Sequence, residues 1–290
     1  MDLAAQPDNT ALCEITIAHG VRDVTMTREV CDELLLERFC HPNVARIGID
    51  SPFGWPVAFV NALSNHAQLG DWPRNDPAVY AGPQGKSTEE YRDLKYRATD
   101  LVVWKKVKKV EQKKRTPLKP ISVAVNSLGS VAIRNASLLS RARAKDLSVD
   151  RSGRTGRFVE VYPAAAFAQW GISTTRYKKS EKEGGKQARD SVLTQIAEKA
   201  CVMEEVKEKL STLSKSDHLV DAFVSAIVAL MAELDRPIAP ECEDRLTHPI
   251  PRGMGALAKR EGWIVLPKKD SLKRLASQLD NLLSEPVHGS

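Results

Sequence analysis

Cysteine pairs, long apolar runs and nucleotide-loop motifs are all missing from this sequence, and each absence removes a class of function. The five cysteines, Cys13, Cys31, Cys40, Cys201 and Cys242, are odd in number and never form a C-x-x-C pair. A disulfide framework or zinc knuckle is therefore not expected, and a reducing, cytoplasmic setting is. The longest apolar stretch, residues 219–232, is broken by Asp221. It falls short of the roughly 20 residues that a membrane span needs. The opening MDLAAQPDNT has neither a basic nor an apolar stretch, so no secretory signal is expected. No G-x-x-x-x-G-K-S/T occurs, which removes the P-loop enzymes.

What is present is a globular composition, 42% hydrophobic and 28% charged over 290 residues, enough to bury a sizeable core. Net charge is only +6, yet the run from Lys105 to Lys119 alone carries eight basic residues and one Glu. The rest of the chain is thus close to neutral. The mild excess is compatible with a polyanionic partner.

Residues 10–18 are β-branched and apolar, residues 21–26 alternate with a period of two, and Gly20 lies between them. This pattern predicts a hairpin. The spacing predicts a helix over 32–40, then a short strand over 45–49 that stops at Asp50-Ser51-Pro52. Residues 53 to about 150 lack β alternation and read as helix and loop. Residues 157–162, RFVEVY, form another short strand, with Glu160 inside it and Pro163 ending it. A loop rich in Lys and Gly over 176–186 leads to a helix from 187 to about 210. Ser216 caps a last apolar helix over 217–234, in which His218, Asp221 and Ser225 are the polar exceptions. EGWIVLP, 261–267, reads as a final strand or docking segment before a polar helix.

The informative residues are acids in apolar surroundings. Asp50 ends a strand, Glu160 lies within one, and Asp221 sits in an almost wholly apolar helix. Alone, Asp50 could be a turn-former and Glu160 could face solvent. A buried carboxylate needs a partner, and converging acids commonly share a metal ion.

Several segments are familiar: IGIDSP (47–52), YRATD (96–100), FVEVYPAAAF (158–167), DHLVDAFVSA (217–226) and EGWI (261–264). Together they resemble the domain-of-unknown-function family 429 (DUF429), predicted nucleases with an RNase H-like fold. The resemblance runs over nearly the whole chain, including DLAAQPDNTAL (2–12). It implies an α/β protein with an RNase H-like mixed sheet flanked by helices. The core would occupy residues 1–52 and 151–270, with a largely helical insertion over 53–150 and a tail over 271–290. By the same resemblance Asp2 would end the first core strand, Asp50 the fourth, Glu160 would lie on the fifth and Asp221 on the last helix. His218 and Asp221, three apart, are also similar to the closing motif of bacterial Holliday-junction resolvases.

The implied activity is phosphodiester hydrolysis by two metal ions. Asp2, Asp50, Glu160 and Asp221 would be ligands, and Asp50, Glu160, Asp221 and His218 the catalytic group. His218 would be either a ligand or a proton shuttle. Oxygen donors suit Mg²⁺ or Mn²⁺. Candidate nucleic-acid contacts are Arg97, Lys105, Lys106, Lys108, Lys109, Lys178 and Arg189, with Trp104 and Trp170 as stacking platforms. The alternative for the basic run is a solvated helix face, since Val103, Val107 and Val110 fall at helical spacing. Arg97 and Asp100 form either an internal ion pair or part of a substrate cleft. Two other functions stay open: a catalytically silent nucleic-acid-binding module of the same fold, or an actin-like ATPase. The latter is disfavoured because residues 3–9, LAAQPDN, hold no glycine-rich phosphate loop, and no nucleotide cofactor or membrane partner is expected.

Only Met1 precedes Asp2, whereas a strand needs five or six residues. The expectation is a truncated first core strand, a native start further upstream, and an Asp2 too frayed to hold a metal.

Overall fold

The computed structural model describes residues 1–18, 21–71, 92–111, 114–124, 128–200, 210 and 212–284. Its architecture is mixed α/β, with helices on both faces of a set of short, linked strands. The first pair, β1 (Ala11–Ala18) and β2 (Val21–Arg28), is antiparallel, from Ala11 opposite Arg28 to Ala18 opposite Val21. The period-two pattern puts Ala11, Cys13, Ile15 and Ile17 on one face, in the larger core cluster, while Leu12 joins the other. The turn at His19-Gly20 lies outside the described residues.

The second pair is parallel: β3 (Ile47–Ile49) runs beside β6 (Phe158–Glu160), with Ile47 opposite Phe158 and Ile49 opposite Glu160. Both are shorter than the sequence suggests: β3 starts only at Ile47 and ends at Ile49 as expected, while β6 stops at Glu160, short of Pro163, which bars its continuation. Single bridges connect the pairs. Asp2 bridges Ala11 on one side and Asp50 on the other, and Glu160 bridges Ile264. The line-up is therefore β2, β1, residues 1–3, β3, β6 and Ile264, which places EGWI at the far edge.

Residues 1–3 hold the central place by bridges and form no strand of their own. They are nonetheless fixed, contrary to the expected fraying. Asp2 N–H donates to Ala11 O and Ala11 N–H to Asp2 O, at 2.9 and 3.0 Å, and Asp50 N–H donates to Met1 O at 2.9 Å. Met1 and Leu3 are buried in the smaller core cluster. Two backbone partners and two apolar anchors do the work of a longer strand.

On one face lies α8 (Asp217–Leu234), whose apolar residues pack with those of α6 (Pro163–Trp170) and α7 (Gly185–Ala200). Ser216 is its N-cap and accepts from His218 N–H at 3.2 Å. Ser225, inside α8, donates back to Asp221 O. On the other face α1 (Asp32–Cys40) and α5 (Leu128–Arg143) pack through Leu35, Leu36, Phe39 and Leu138 against Ile49, Phe53 and Phe158. Phe39 meets Phe158 edge-on at 5.2 Å. The final helix, α10 (Ser271–Ser284), is more than a polar tail, since Leu272 and Leu275 enter the larger core.

Gly48 explains how α8 comes so close to β3. A Cβ there would stand 2.2 Å from the Ser225 carbonyl oxygen. Gly48→Ala must therefore push α8 off the strand, and with it Asp221 away from Asp50. The expected loss is about 1–3 kcal/mol, the range for overpacking a core, read as a lower urea midpoint. An unchanged midpoint would contradict this close approach.

The basic segment departs from its predicted helical form. α4 (Ala98–Lys106) ends as the Lys/Arg run begins, and the chain turns into a hairpin of β4 (Lys108–Glu111) and β5 (Lys114–Pro117). Val103 and Val107 are buried with Leu118, Ala165 and Ile264, so their helical spacing reflects a shared core contact across the end of α4.

Candidate metal centre

Three carboxylates meet where the bridged segment 1–3, the end of β3 and the first turns of α8 come together. Asp2, Asp50 and Asp221 each offer one oxygen, and these oxygens lie within 4.8 Å of one another. Asp221 is 1% exposed, while Asp2 retains 13% of its side-chain exposure. Among the described residues Asp50, the acid at the strand end, receives no side-chain or backbone hydrogen bond on its carboxylate.

The partners of the other two acids are specific. His218 Nδ1 donates to Asp2 Oδ2 at 2.6 Å. Tyr177 Oη donates to Asp221 Oδ1 at 3.1 Å, and Lys178 Nζ lies 3.0 Å from Asp221 Oδ2. Burial, then the charges of Asp2 and Asp221, push the Asp50 carboxyl well above the usual carboxylate range. Burial also raises Asp221, to about 6, although Lys178 pulls the other way. The hydrogen bond that His218 donates to Asp2 raises the histidine's own pKa. Burial and then Asp50 push the Tyr162 hydroxyl up to about 12, so it stays protonated. Three like charges crowd a poorly solvated space, which is the electrostatic condition that a cation relieves.

These directions give a pH dependence. A carboxyl raised on folding contributes stability that is complete below its unfolded value, near pH 4, and is lost as pH rises through its folded value. His218, raised above its ordinary value by Asp2, loses its contribution in the same direction. The Met1 ammonium and His248, both lowered by burial, act in the opposite direction. The share of the cluster is therefore read as the melting-temperature gain of metal-free Asp50→Asn over wild type, which should be larger at about pH 8 than at about pH 5. A divalent ion binds the charged acids, so added Mn²⁺ should raise the melting temperature more at the higher pH. Equal Mn²⁺ effects at the two pH values would contradict a carboxylate-bound ion.

Glu160 is not brought into the cluster. Arg97 Nη1 and Nη2 donate to its two oxygens at 2.9 and 2.7 Å, and Phe53 N–H donates at 3.0 Å. Arg97 also donates to Asp100, from Nη2 at 2.9 Å and from Nε at 3.1 Å, and Asp100 Oδ2 accepts from the Arg97 backbone N–H at 2.9 Å at the start of α4. With all three residues about 2% exposed, this is an internal ion network. Arg97 is therefore no nucleic-acid contact, and of the two roles open for Arg97 and Asp100 the structure has the ion pair.

Two further candidates are also internal. Arg189, 3% exposed, donates to the carbonyls of Tyr177, Lys179 and Ser214. Trp170 is buried and donates from Nε1 to Ser271 Oγ at 2.9 Å, so it cannot stack on a base. Trp104 lies under Lys119, whose ammonium is 4.5 Å from the ring centroid. Lys105, Lys106 and Lys108 are exposed, and Lys109 is half-buried. A cavity of about 350 Å³ lined by Arg46, Arg236, Thr247 and Trp263 shares no residue with the carboxylate cluster.

Tyr177 and the contact of Lys178 with Asp221 had no signal in the sequence, because 44 residues separate Tyr177 from Asp221. Tyr162 stands in plain view in VEVYP, two residues after Glu160, but nothing local shows that it feels the charge of Asp50.

The family model described as "Protein of unknown function (DUF429)" matches residues 10–245, and the chain belongs to this family. Asp50 and Asp221 fall within the matched region and Asp2 before it. Comparison with curated proteins and with solved structures gives no match. Among the described residues no helix is long and apolar enough to cross a membrane.

Proposed function

We propose that the protein is a metal-dependent phosphodiester hydrolase of the nuclease type, built on an RNase H-like core. The observation that carries this reading is the approach of Asp2, Asp50 and Asp221 to within 4.8 Å of one another. Three hard oxygen donors fit Mg²⁺ or Mn²⁺ and lack the thiolates that select softer metals. The strand line-up supports the fold assignment: an antiparallel hairpin, a central first segment, then parallel neighbours, with acids at the segment ends.

Ions bound to these carboxylates would supply a Lewis acid for the phosphoryl group and a water acidic enough to attack at neutral pH. Asp50, next to Asp2 in the sheet and free of competing donors among the described residues, is suited to be the shared ligand of a two-ion site. Asp2 is oriented by His218, whose side chain is 36% exposed. His218 can therefore pass a proton between the cluster and solvent. Tyr162, a protonated hydroxyl within the electrostatic reach of Asp50, is a candidate donor to a phosphate oxygen. Glu160 takes no part, because Arg97 already neutralises it. Lys105, Lys106 and Lys108 are the exposed cations proposed to follow a nucleic-acid backbone.

The test is incubation with Mg²⁺ or Mn²⁺ and labelled RNA, DNA and hybrid strands, without added nucleotide. Cleavage that EDTA stops is the expected result. Salt-dependent binding with no cleavage under any metal would contradict the proposal and favour a silent binding module.

A further inference from the structure

A lysine of the chain's own already touches the carboxylate cluster, and the surrounding structure is organised to keep it there. Lys178 Nζ sits 3.0 Å from Asp221 Oδ2 although 59% of the lysine side chain is exposed. A side chain free to extend into water is instead turned back onto the acids.

Its backbone is fixed from several directions. Arg176 takes φ +69°, a left-handed conformation uncommon for a residue with a Cβ. The buried Arg189 donates from Nη1 to the carbonyls of Tyr177 and Lys179, at 2.9 and 3.0 Å, clamping the residues on both sides of Lys178. Tyr177 packs edge-on against Phe167 at 5.5 Å between ring centroids while its hydroxyl donates to Asp221. The Lys178 ammonium also lies 5.5 Å from the Tyr177 ring centroid. A lysine serving only solubility requires none of these contacts.

The charges do not balance. His218 meets Asp2 and the Met1 ammonium donates to Gly48 O, so the Lys178 ammonium is the cation that touches Asp221, and among the described residues the Asp50 carboxylate has no hydrogen-bond donor. A divalent ion carries twice the charge and can touch an oxygen of each acid. It cannot share Asp221 Oδ2 comfortably with an ammonium, since two cations so close repel strongly in a poorly solvated site.

We propose that Lys178 is the resident counter-cation of the cluster, and that a divalent ion binds by displacing its ammonium from Asp221. The inference rests on the metal reading of the cluster. It gives Lys178 two roles: it holds the acids together before the ion arrives, and it weakens the ion's apparent affinity. Once displaced, the flexible four-carbon stem leaves the ammonium on the open side of the cluster, where a phosphate would approach.

The experiment is a Mn²⁺ titration of the full chain, with free ion followed by electron paramagnetic resonance, for wild type, Lys178→Gln and Lys178→Arg. Lys178→Gln should bind Mn²⁺ about tenfold tighter or more, because no cation has to leave. Lys178→Arg, which keeps the charge, should stay within about threefold of wild type. Binding by Lys178→Gln that is equal to or weaker than wild type overturns the exchange and leaves the metal site standing. Absence of Mn²⁺ binding by both overturns the metal reading together with it. A second measurement needs no variant: the rate at which Lys178 is acetylated in wild type, read by mass spectrometry. Added Mg²⁺ should speed its labelling severalfold relative to Lys105, and an unchanged ratio overturns the displacement.

Discussion

Asp50→Asn is expected to lower metal-dependent cleavage by about a thousandfold or more, a barrier increase of roughly 4 kcal/mol. The amide keeps the shape of the side chain but removes the charge that the acids at the end of β3 need to hold an ion. The same substitution should leave the metal-free fold intact and even stabilise it at neutral pH. Asp50 is pushed well above the usual carboxylate range by burial and by Asp2 and Asp221, so its charged form opposes folding there. That benefit should vanish below about pH 4, where the wild-type acid is protonated in both folded and unfolded states. Thermal melts with and without Mn²⁺ check the pair of effects. Retained cleavage, or a lower metal-free melting temperature in the variant, would remove Asp50 from the centre of the site.

The second large effect lies outside the cluster. Arg97→Met should destabilise the protein by about 3–5 kcal/mol, the cost of stripping a buried charge of its partner. Arg97 neutralises both Glu160 and Asp100 in a region that is about 2% exposed, and no other described side chain donates to Glu160. Stability of a domain is only roughly 5–15 kcal/mol, so the variant should be close to unfolding at physiological temperature. The deficit should shrink as pH falls, because stranded Glu160 and Asp100 carboxylates would take up protons and cease to be charged. Urea unfolding at several pH values measures this. A deficit of similar size at every pH would mean that Arg97 acts through packing alone.

These two predictions also mark where the sequence is readable. α1 and α8 begin and end at the predicted residues because their signals are local: apolar spacing, Ser216 as cap, and acids in the first turns. The hairpin β1–β2 is legible from alternation for the same reason. Asp50 and Asp221 stand out as acids in apolar surroundings, and the structure brings both to one place. Glu160 carries the same signal for a different cause, since its charge is met by Arg97, 63 residues away. No local pattern distinguishes a carboxylate awaiting a metal from one already paired. The hairpin after α4 is hidden because Val103, Val107 and Val110 fit a helical stripe, while burial of Val107 at the helix end redirects the chain. Arg189 and Trp170 look like surface binders in sequence, yet one clamps a loop and the other fills a core. Their roles depend on partners that only the tertiary structure brings near. Asp2 shows the converse: too little chain precedes it for a strand, yet bridges to Ala11 and Asp50 fix it.

The most direct test of the central claim is anomalous diffraction at the manganese edge from crystals grown or soaked with Mn²⁺. The account predicts a peak in contact with oxygens of Asp2, Asp50 and Asp221, about 2.1–2.3 Å from each, and no peak at Glu160. A cluster with no manganese at saturating Mn²⁺, or a peak bound through Glu160, would contradict it.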